Sequence, residues 1–497
     1  MGTPTVAECG IISTPYQHQW DCFSLSKDRE AFAIFSDLGT GKCLMCLMTA
    51  GHLYNTGKIK RLLVVAPRGC YRVWPDEVEK HLGIATKVAV WSSYQTSEVR
   101  KQLADLEKGG EALRILVVNV EACNSERAID AMVDFMKAQH TMLIVDESTT
   151  LKNPQAKRTK IMINVGKYAK YRRICSGNPM PNGPLDLWSQ GEFLKKNLMG
   201  FGNYFAFRNR FAVMQDQRFG NRAFKHVVGY RDLEVLKAMM NKFAFVVKKE
   251  DCLDLPPKIY QVVDISMGPK QTEYYNKMVQ DAYIQLSATE QVTAPMVMTQ
   301  LVKLHQITCG FVSPDGMDPL PIGEKLDRIE EMLDRLEQAP GKAIVWATYR
   351  YNIKQIVSAI AEKFGADSVA HFYGDTPMGD PDDPKPGTRI WTTGAFQDPM
   401  SRLRFIVANP ASGRFGNTWT QGTTVIYYSN DYNLESRSQS EDRSHRIGQN
   451  ESVTYIDLVC RGTVDEKILK ILKAKKKLTD EIVQSNWRWL IGGTVEN

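Results

Sequence analysis

Short apolar, β-rich runs alternate along this chain with longer segments of helical period, and the alternation occurs twice. Arg61 to Ala66, Arg114 to Asn119, Met142 to Asp146 and Arg172 to Ser176 form the first set. Lys342 to Ala347, Arg404 to Ala408, Thr423 to Tyr428 and Val453 to Val459 form the second. Strands separated by helical segments pair in parallel through crossovers, so the pattern predicts an α/β fold with two parallel-sheet lobes. With 497 residues, 43% of them hydrophobic, the chain has ample core for several domains.

Between the two sets, from about Gly191 to Leu336, strand runs fade and helical, aromatic-rich and basic segments take over. They are read as helical insertions, about 191–255 in the first lobe and about 265–336 in the second. Leu255-Pro256-Pro257-Lys258 marks the expected boundary, because proline lacks a backbone donor and restricts the residue before it. The expected lobes are therefore 1–255 and 256–497. The Pro- and Asp-rich stretch from Gly374 to Gly387 is predicted to be an exposed loop, and a basic helix over about 465–490, with the charge run Lys473 to Lys477, closes the second lobe.

No stretch approaches the roughly eighteen apolar residues of a membrane-spanning helix. Met1 to Ser13 has neither the basic start nor the apolar run of a secretory signal, so a cytoplasmic or nuclear setting is expected. The ten cysteines are scattered, as where thiols stay reduced. Cys43 and Cys46 spell C-x-x-C, but a zinc or redox site wants a second pair or nearby histidines. A net charge of +7 tolerates a polyanion partner without demanding one.

Three constellations carry chemistry. In Ser36-Asp37-Leu38-Gly39-Thr40-Gly41-Lys42-Cys43, glycines let backbone N–H groups turn inward around phosphate oxygens, a following helix adds partial positive charge, and Lys42 reaches the β and γ phosphates. Met142 to Val145 is a buried-strand run ending in Asp146-Glu147, placing two carboxylates at the C-terminal edge of a sheet, where α/β proteins bind ligands. In a nucleotide site the first holds Mg²⁺, generally through water, and the second orients or deprotonates the attacking water. Distant from both, Gln439, Asp442, Arg443, His445 and Arg446 lie in one helical segment, and arginines three apart share a helix face that suits a transferring phosphoryl group. Taken singly, these strings also read as a surface turn, a plain acidic turn and a solvated basic helix.

Taken together and in order, they resemble the Swi/Snf family of helicase-like ATPases in helicase superfamily two, in its minimal viral or bacterial form. Tyr16-Gln17 looks like the family's adenine-reading glutamine motif, and Asp37 to Cys43 like its phosphate loop. Ala66-Pro67, Trp74 and Glu77 resemble a block that lies beside the DNA backbone in relatives. Asp146-Glu147-Ser148-Thr149 with Lys152-Asn153 matches the acidic box, and Ser176-Gly177-Asn178-Pro179 with Asn182 and Leu187-Trp188 resembles the motif coupling nucleotide to DNA. Leu255-Pro256-Pro257-Lys258 is similar to the element joining the lobes. Ile344-Val345-Trp346, Tyr373-Gly374-Asp375, Arg389 and Phe396, then Gly413, Gly416 and Asn417, follow in family order. Arg443-Ser444-His445-Arg446-Ile447-Gly448-Gln449 is the most family-specific string, and Gly462-Thr463-Val464-Asp465-Glu466 closes the lobe.

The resemblance implies two RecA-like lobes with an ATP cleft between them. It implies ATP and Mg²⁺ as cofactors, with Gln17, Gly39, Thr40, Gly41, Lys42, Cys43, Gly416 and Gln439 at the nucleotide, Asp146 at the metal, and Glu147, Arg446 and Arg443 in catalysis. It also implies an ATP-dependent translocase on double-stranded DNA that displaces bound proteins or remodels branched structures without separating the strands, acting as a monomer or weak oligomer away from membranes. Single-stranded and branched DNA stay open as partners, as do a true helicase and a weakly hydrolysing DNA-binding clamp. A bacterial or phage-infected cytoplasm is the expected location, or the nucleus in a eukaryote. Three departures stand out. Cys43 replaces the hydroxyl residue that ligates Mg²⁺, and sulfur suits that hard ion poorly. Asn178 stands where relatives carry Thr, and the block from Gly413 to Thr418 is altered.

Overall fold

The computed structural model describes residues 5–94, 96–108, 110–219, 222–288, 294–314, 317–380, 383–413 and 418–483. It divides into two compact units, one of residues 1–214, 227–254 and 477–497, the other of 215–226 and 255–476.

The first unit is built on seven strands: β1 (Ala31–Ser36), β2 (Arg61–Ala66), β3 (Thr86–Val90), β4 (Leu113–Asn119), β5 (Thr141–Val145), β6 (Tyr171–Ser176) and β9 (Ala244–Val247), while β7 (Ala212–Phe219) and β8 (Arg222–Tyr230), between β6 and β9 in sequence, form a separate two-stranded sheet. They lie in the order β3-β4-β2-β5-β6-β1-β9, every neighbour parallel. Both faces are covered, which is why the strands read as continuous apolar runs. Leu63, Val65, Leu143 and Val145 pack into the core on one face, and Leu62, Val64, Met142 and Ile144 into the core on the other.

In the second unit, β10 (Lys258–Ile265) precedes a short pair, β11 (Phe311–Val312) and β12 (Leu320–Pro321), and then β13 (Lys342–Trp346), β14 (Val369–Phe372), β15 (Phe405–Ala408), β16 (Gly422–Tyr427) and β17 (Val453–Cys460). The sheet order is β10-β17-β16-β13-β15-β14, again all parallel. Ala343 and Val345 face one core while Ile344 and Trp346 face the other. The two-lobed α/β expectation holds, with each of the eight expected strands present to within a residue or two at either end.

The supposed helical stretch 191–255 is a correction. It contains β7, β8 and β9 alongside helices Tyr204–Phe211 and Leu233–Asn241. Ala244–Val247 is four residues long, too short for periodicity to register, yet wholly buried beside β1. Across 265–336 helices dominate: Pro269–Ala288, Ala294–Thr308 and Asp327–Gln338. The closing helix runs Val464–Val483, and 484–490 of the expected basic helix lie outside the described residues. Its beginning packs Val464, Ile468 and Leu472 in the second unit, and Leu478 and Ile482 join the core of the first. Among the described residues no helix is long and apolar enough to cross a membrane.

Candidate nucleotide site

At the C-terminal end of β1 the chain turns through Asp37–Gly41 into the helix Lys42–Asn55. Gly39 and Gly41 hold φ of 86° and 85°, the left-handed region that glycine enters without penalty. Beneath the loop, Gln19 donates from Nε2 to the Thr40 carbonyl at 3.0 Å and accepts the Tyr16 N–H at 2.9 Å. His18 Nε2 lies 2.9 Å from the same Thr40 carbonyl. The Thr40 hydroxyl donates to the Ser36 hydroxyl and the Asp37 carbonyl. Lys42 is buried, its ammonium donating to the carbonyls of Ser36 at 2.9 Å and Asp37 at 3.1 Å. The loop is thus braced by Gln19, His18 and the Thr40 hydroxyl at the N-terminus of a helix, a setting suited to an anion.

Asp146 and Glu147 leave the sheet at the end of β5, two strands from β1 and therefore about 10 Å away along the same edge. Both are buried. Asp146 accepts the Trp74 indole N–H at 3.1 Å and the Glu147 amide at 3.0 Å. Burial raises the Asp146 carboxyl above its ordinary range; the Lys42 ammonium and these two donors oppose the shift without cancelling it. Glu147 sits at φ 48°, ψ 61°, an uncommon backbone state for a residue with a side chain. Just beyond, Ser148 donates to Gln190 Oε1 at 2.7 Å, and Gln190 Nε2 donates to the carbonyls of Pro179 and Asp186. One buried amide thereby ties the acidic segment to the Ser176–Pro179 turn.

Gln17 is exposed, bonded to Asp21, and lines a cleft of about 570 Å³ with Tyr16, His18 and residues 250–254. Cys43 is partly buried. Burial, then the charges of Asp146 and Glu77, push its thiol well above the ordinary range, so it stays a neutral thiol near pH 7. The residues present fit a magnesium ion that Asp146 would hold, generally through water, and the neutral Cys43 thiol would be a poor ligand for it. Cys46 lies 3.2 Å from Cys175, sulfur to sulfur, not against Cys43, and among the described residues no group of side chains could hold a metal by itself.

In the second unit, the helix Leu434–Glu441 carries buried Gln439, whose amide reaches Glu435 and whose carbonyl accepts Arg443 Nε at 3.1 Å. The helix stops there. Arg443 and Arg446 stand in the turns that follow, not on a shared helix face, as the N–H groups of Arg443 and Ser444 reach back only three residues, to the carbonyls of Ser440 and Glu441. Arg443 is buried and Arg446 half-buried, and the Arg443 carbonyl accepts the Trp419 N–H at 2.9 Å. Gly416 and Asn417 lie outside the described residues. Sequence reasoning missed Gln19, His18 and Gln190, and placed Trp74 only in a DNA-side block; apart from the three-residue Tyr16–Gln19 contact, these bonds have no local signature.

Comparison with known proteins identifies the family. The SNF2-related domain family matches residues 16–310, more than half of the chain. The chain belongs to that family. It carries an SNF2 ATPase core. Human TATA-binding protein-associated factor 172 is 23% identical over 93% of this chain but only 27% of its own length. The p41 protein of Acyrthosiphon pisum secondary endosymbiont phage 1 is 23% identical over 95% of this chain and 98% of its own. A solved structure of the Sulfolobus solfataricus SWI2/SNF2 ATPase core in complex with dsDNA covers 99% of this chain and 97% of its own at 22% identity, with a TM-score of 0.43. The chain thus spans about a quarter of the human relative and nearly all of the phage one.

Proposed function

We propose that the protein is a DNA-dependent ATPase that translocates on double-stranded DNA and displaces or remodels bound proteins or branched DNA without separating the strands. The observation that carries this is the shared sheet edge bearing the braced loop at Lys42 and the buried pair Asp146-Glu147, within a chain of the SNF2-related family. Lys42 neutralises the transferring phosphates, Glu147 draws the proton from the attacking water, and Arg446 with Arg443 stabilises the charge that builds in the transition state. Magnesium held at Asp146 would supply further charge neutralisation at the phosphates. Gln17 reads the adenine at the cleft it lines, and Gln439 and Gly416 complete the nucleotide contacts. Each ATP turnover then moves the protein along the DNA backbone. DNA-bound proteins are the proposed partners, and a bacterial or phage-infected cytoplasm the proposed setting.

ATP hydrolysis is measured with no nucleic acid, single-stranded DNA, duplex DNA and RNA, in the native protein, Lys42→Ala and Arg446→Ala. Stimulation by duplex DNA that vanishes in both variants is expected. Stimulation by RNA alone, or full turnover in Arg446→Ala, overturns the assignment. Displacement of a triplex strand without opening of a forked duplex separates translocase from helicase. Absence of multiple turnover, which Cys43 makes worth testing, points instead to a DNA-binding clamp.

A further inference from the structure

Arg443 and Arg446 lie beyond the end of their helix, where regular helical hydrogen bonds no longer fix the backbone. The residue on which that helix ends, Glu441, is buried, and both of its carboxylate oxygens are engaged. Oε1 accepts Arg437 Nε at 2.8 Å; Oε2 accepts Lys258 Nζ at 3.1 Å and the Tyr260 hydroxyl at 2.8 Å. Burial alone would raise this carboxyl, but the Lys258 and Arg437 cations outweigh it and hold the group well below the usual carboxylate range. Arg437 is itself fixed to the sheet, through Asp457 on β17 and Asn430, with its guanidinium 3.5 Å from the centre of the Tyr427 ring. The Glu441 carbonyl accepts the Tyr455 hydroxyl at 2.8 Å, and Tyr455 stacks on Tyr260 with ring centres 5.4 Å apart.

Lys258 and Tyr260 begin β10, directly after Leu255-Pro256-Pro257, the stretch by which the chain enters the second unit. Pro257 has no N–H and keeps Pro256 extended. The Pro256 carbonyl is 2.7 Å from His445 Nε2, between the two arginines in sequence. Lys258 Nζ is also 3.7 Å from Asp442, next to Arg443. The entering strand therefore grips the arginine segment at two points, one at the end of its helix and one in the turn beyond. We infer that Pro256–Lys258 is a positioning clamp: Lys258 acting through Glu441, and the Pro256 carbonyl acting through His445, set the placement of Arg443 and Arg446 for phosphoryl transfer. Neither Lys258 nor His445 touches nucleotide in this reading; each acts through the segment it holds.

The inference rests on the proposed role of the two arginines, and the test keeps the two apart. In the full chain, kcat and KM for ATP are measured with saturating duplex DNA for Lys258→Met, Lys258→Arg, His445→Ala and Arg446→Ala. Because Lys258→Met leaves Glu441 with one cation fewer, the double variant Lys258→Met/Glu441→Gln is measured beside it, with circular dichroism as the folding check. Kcat is expected to fall about tenfold in the double variant and in His445→Ala with KM within about twofold, and Lys258→Arg to recover much of the loss, since an interaction that matters only in the transition state lowers kcat and leaves substrate binding alone. Unchanged kcat in the folded double variant and in His445→Ala, or a rise in KM alone, overturns the clamp. If Arg446→Ala abolishes turnover while the clamp variants do not, only the clamp fails; if Arg446→Ala is fully active, the arginine reading fails with it.

Discussion

Glu147 stands in the left-handed region at φ 48°, ψ 61°, at the position assigned to the attacking water. A residue with a Cβ pays about 1–2 kcal/mol for that conformation, whereas glycine adopts it freely. Glycine in turn loses about 0.5–1 kcal/mol more chain entropy on folding than alanine. Comparing Glu147→Ala with Glu147→Gly cancels the loss of the carboxylate and leaves the difference between these two quantities. The glycine variant should therefore be the more stable by roughly 0.5–1 kcal/mol, the reverse of their order in an ordinary helix or strand. In a unit of about 260 residues that corresponds to a melting-temperature difference of about 1–2 °C. Urea midpoints and thermal scans of the two nucleotide-free variants, taken side by side, read it directly. Both variants should also lose turnover by at least about a hundredfold, the usual contribution of a positioned base. An alanine variant as stable as the glycine variant, or more so, would show that no backbone strain is stored at this residue. Turnover surviving in both would remove Glu147 from the chemistry.

Cys43→Thr should raise turnover and lower the magnesium concentration needed for half-maximal rate, because a hydroxyl oxygen replaces a neutral thiol; a variant unchanged in both respects refutes the idea. Gly41→Ala would place a methyl 2.2 Å from Gln19 Nε2 at φ 85°, so ATP affinity should fall at least about tenfold in a fluorescent-nucleotide titration, and native affinity would count against the loop geometry. His305 is buried, bonded to the Tyr349 hydroxyl, 3.9 Å from Asp465 and also facing Arg328. Burial pushes its pKa from 6.5 down to about 4, with Asp465 opposing and Arg328 assisting. The folded protein thus takes up this proton less readily than the unfolded chain, so the stability contribution is present above pH 6.5 and is lost as pH falls through 4. The loss amounts to about 3 kcal/mol across that window. Urea unfolding at pH 7 and pH 4.5 should show most of it, and His305→Gln should remove it; an equal acid sensitivity in that variant refutes the assignment.

The two-lobed α/β architecture was legible because parallel strands covered on both faces read as unbroken apolar runs, as Arg61–Ala66 and Lys342–Trp346 do. The loop at Lys42 and the acidic pair at Asp146 were legible for a related reason. Phosphate binding and metal binding each need particular residue types at adjacent positions, so their chemistry leaves a local string. Ala244–Val247 left none, being four residues whose only strand signal is the neighbour they pair with. The arginine segment was legible as composition but not as shape, since the helix ends at Glu441 and the arginines lie in the turns beyond. Tertiary structure alone decided what braces these strings. Gln19 under Thr40, Trp74 on Asp146, Gln190 between the acidic turn and Pro179, and Lys258 on Glu441 join residues 11 to 183 positions apart. Such contacts follow from which strand lies beside which, and a hydrogen bond between distant residues imposes no spacing that either neighbourhood displays.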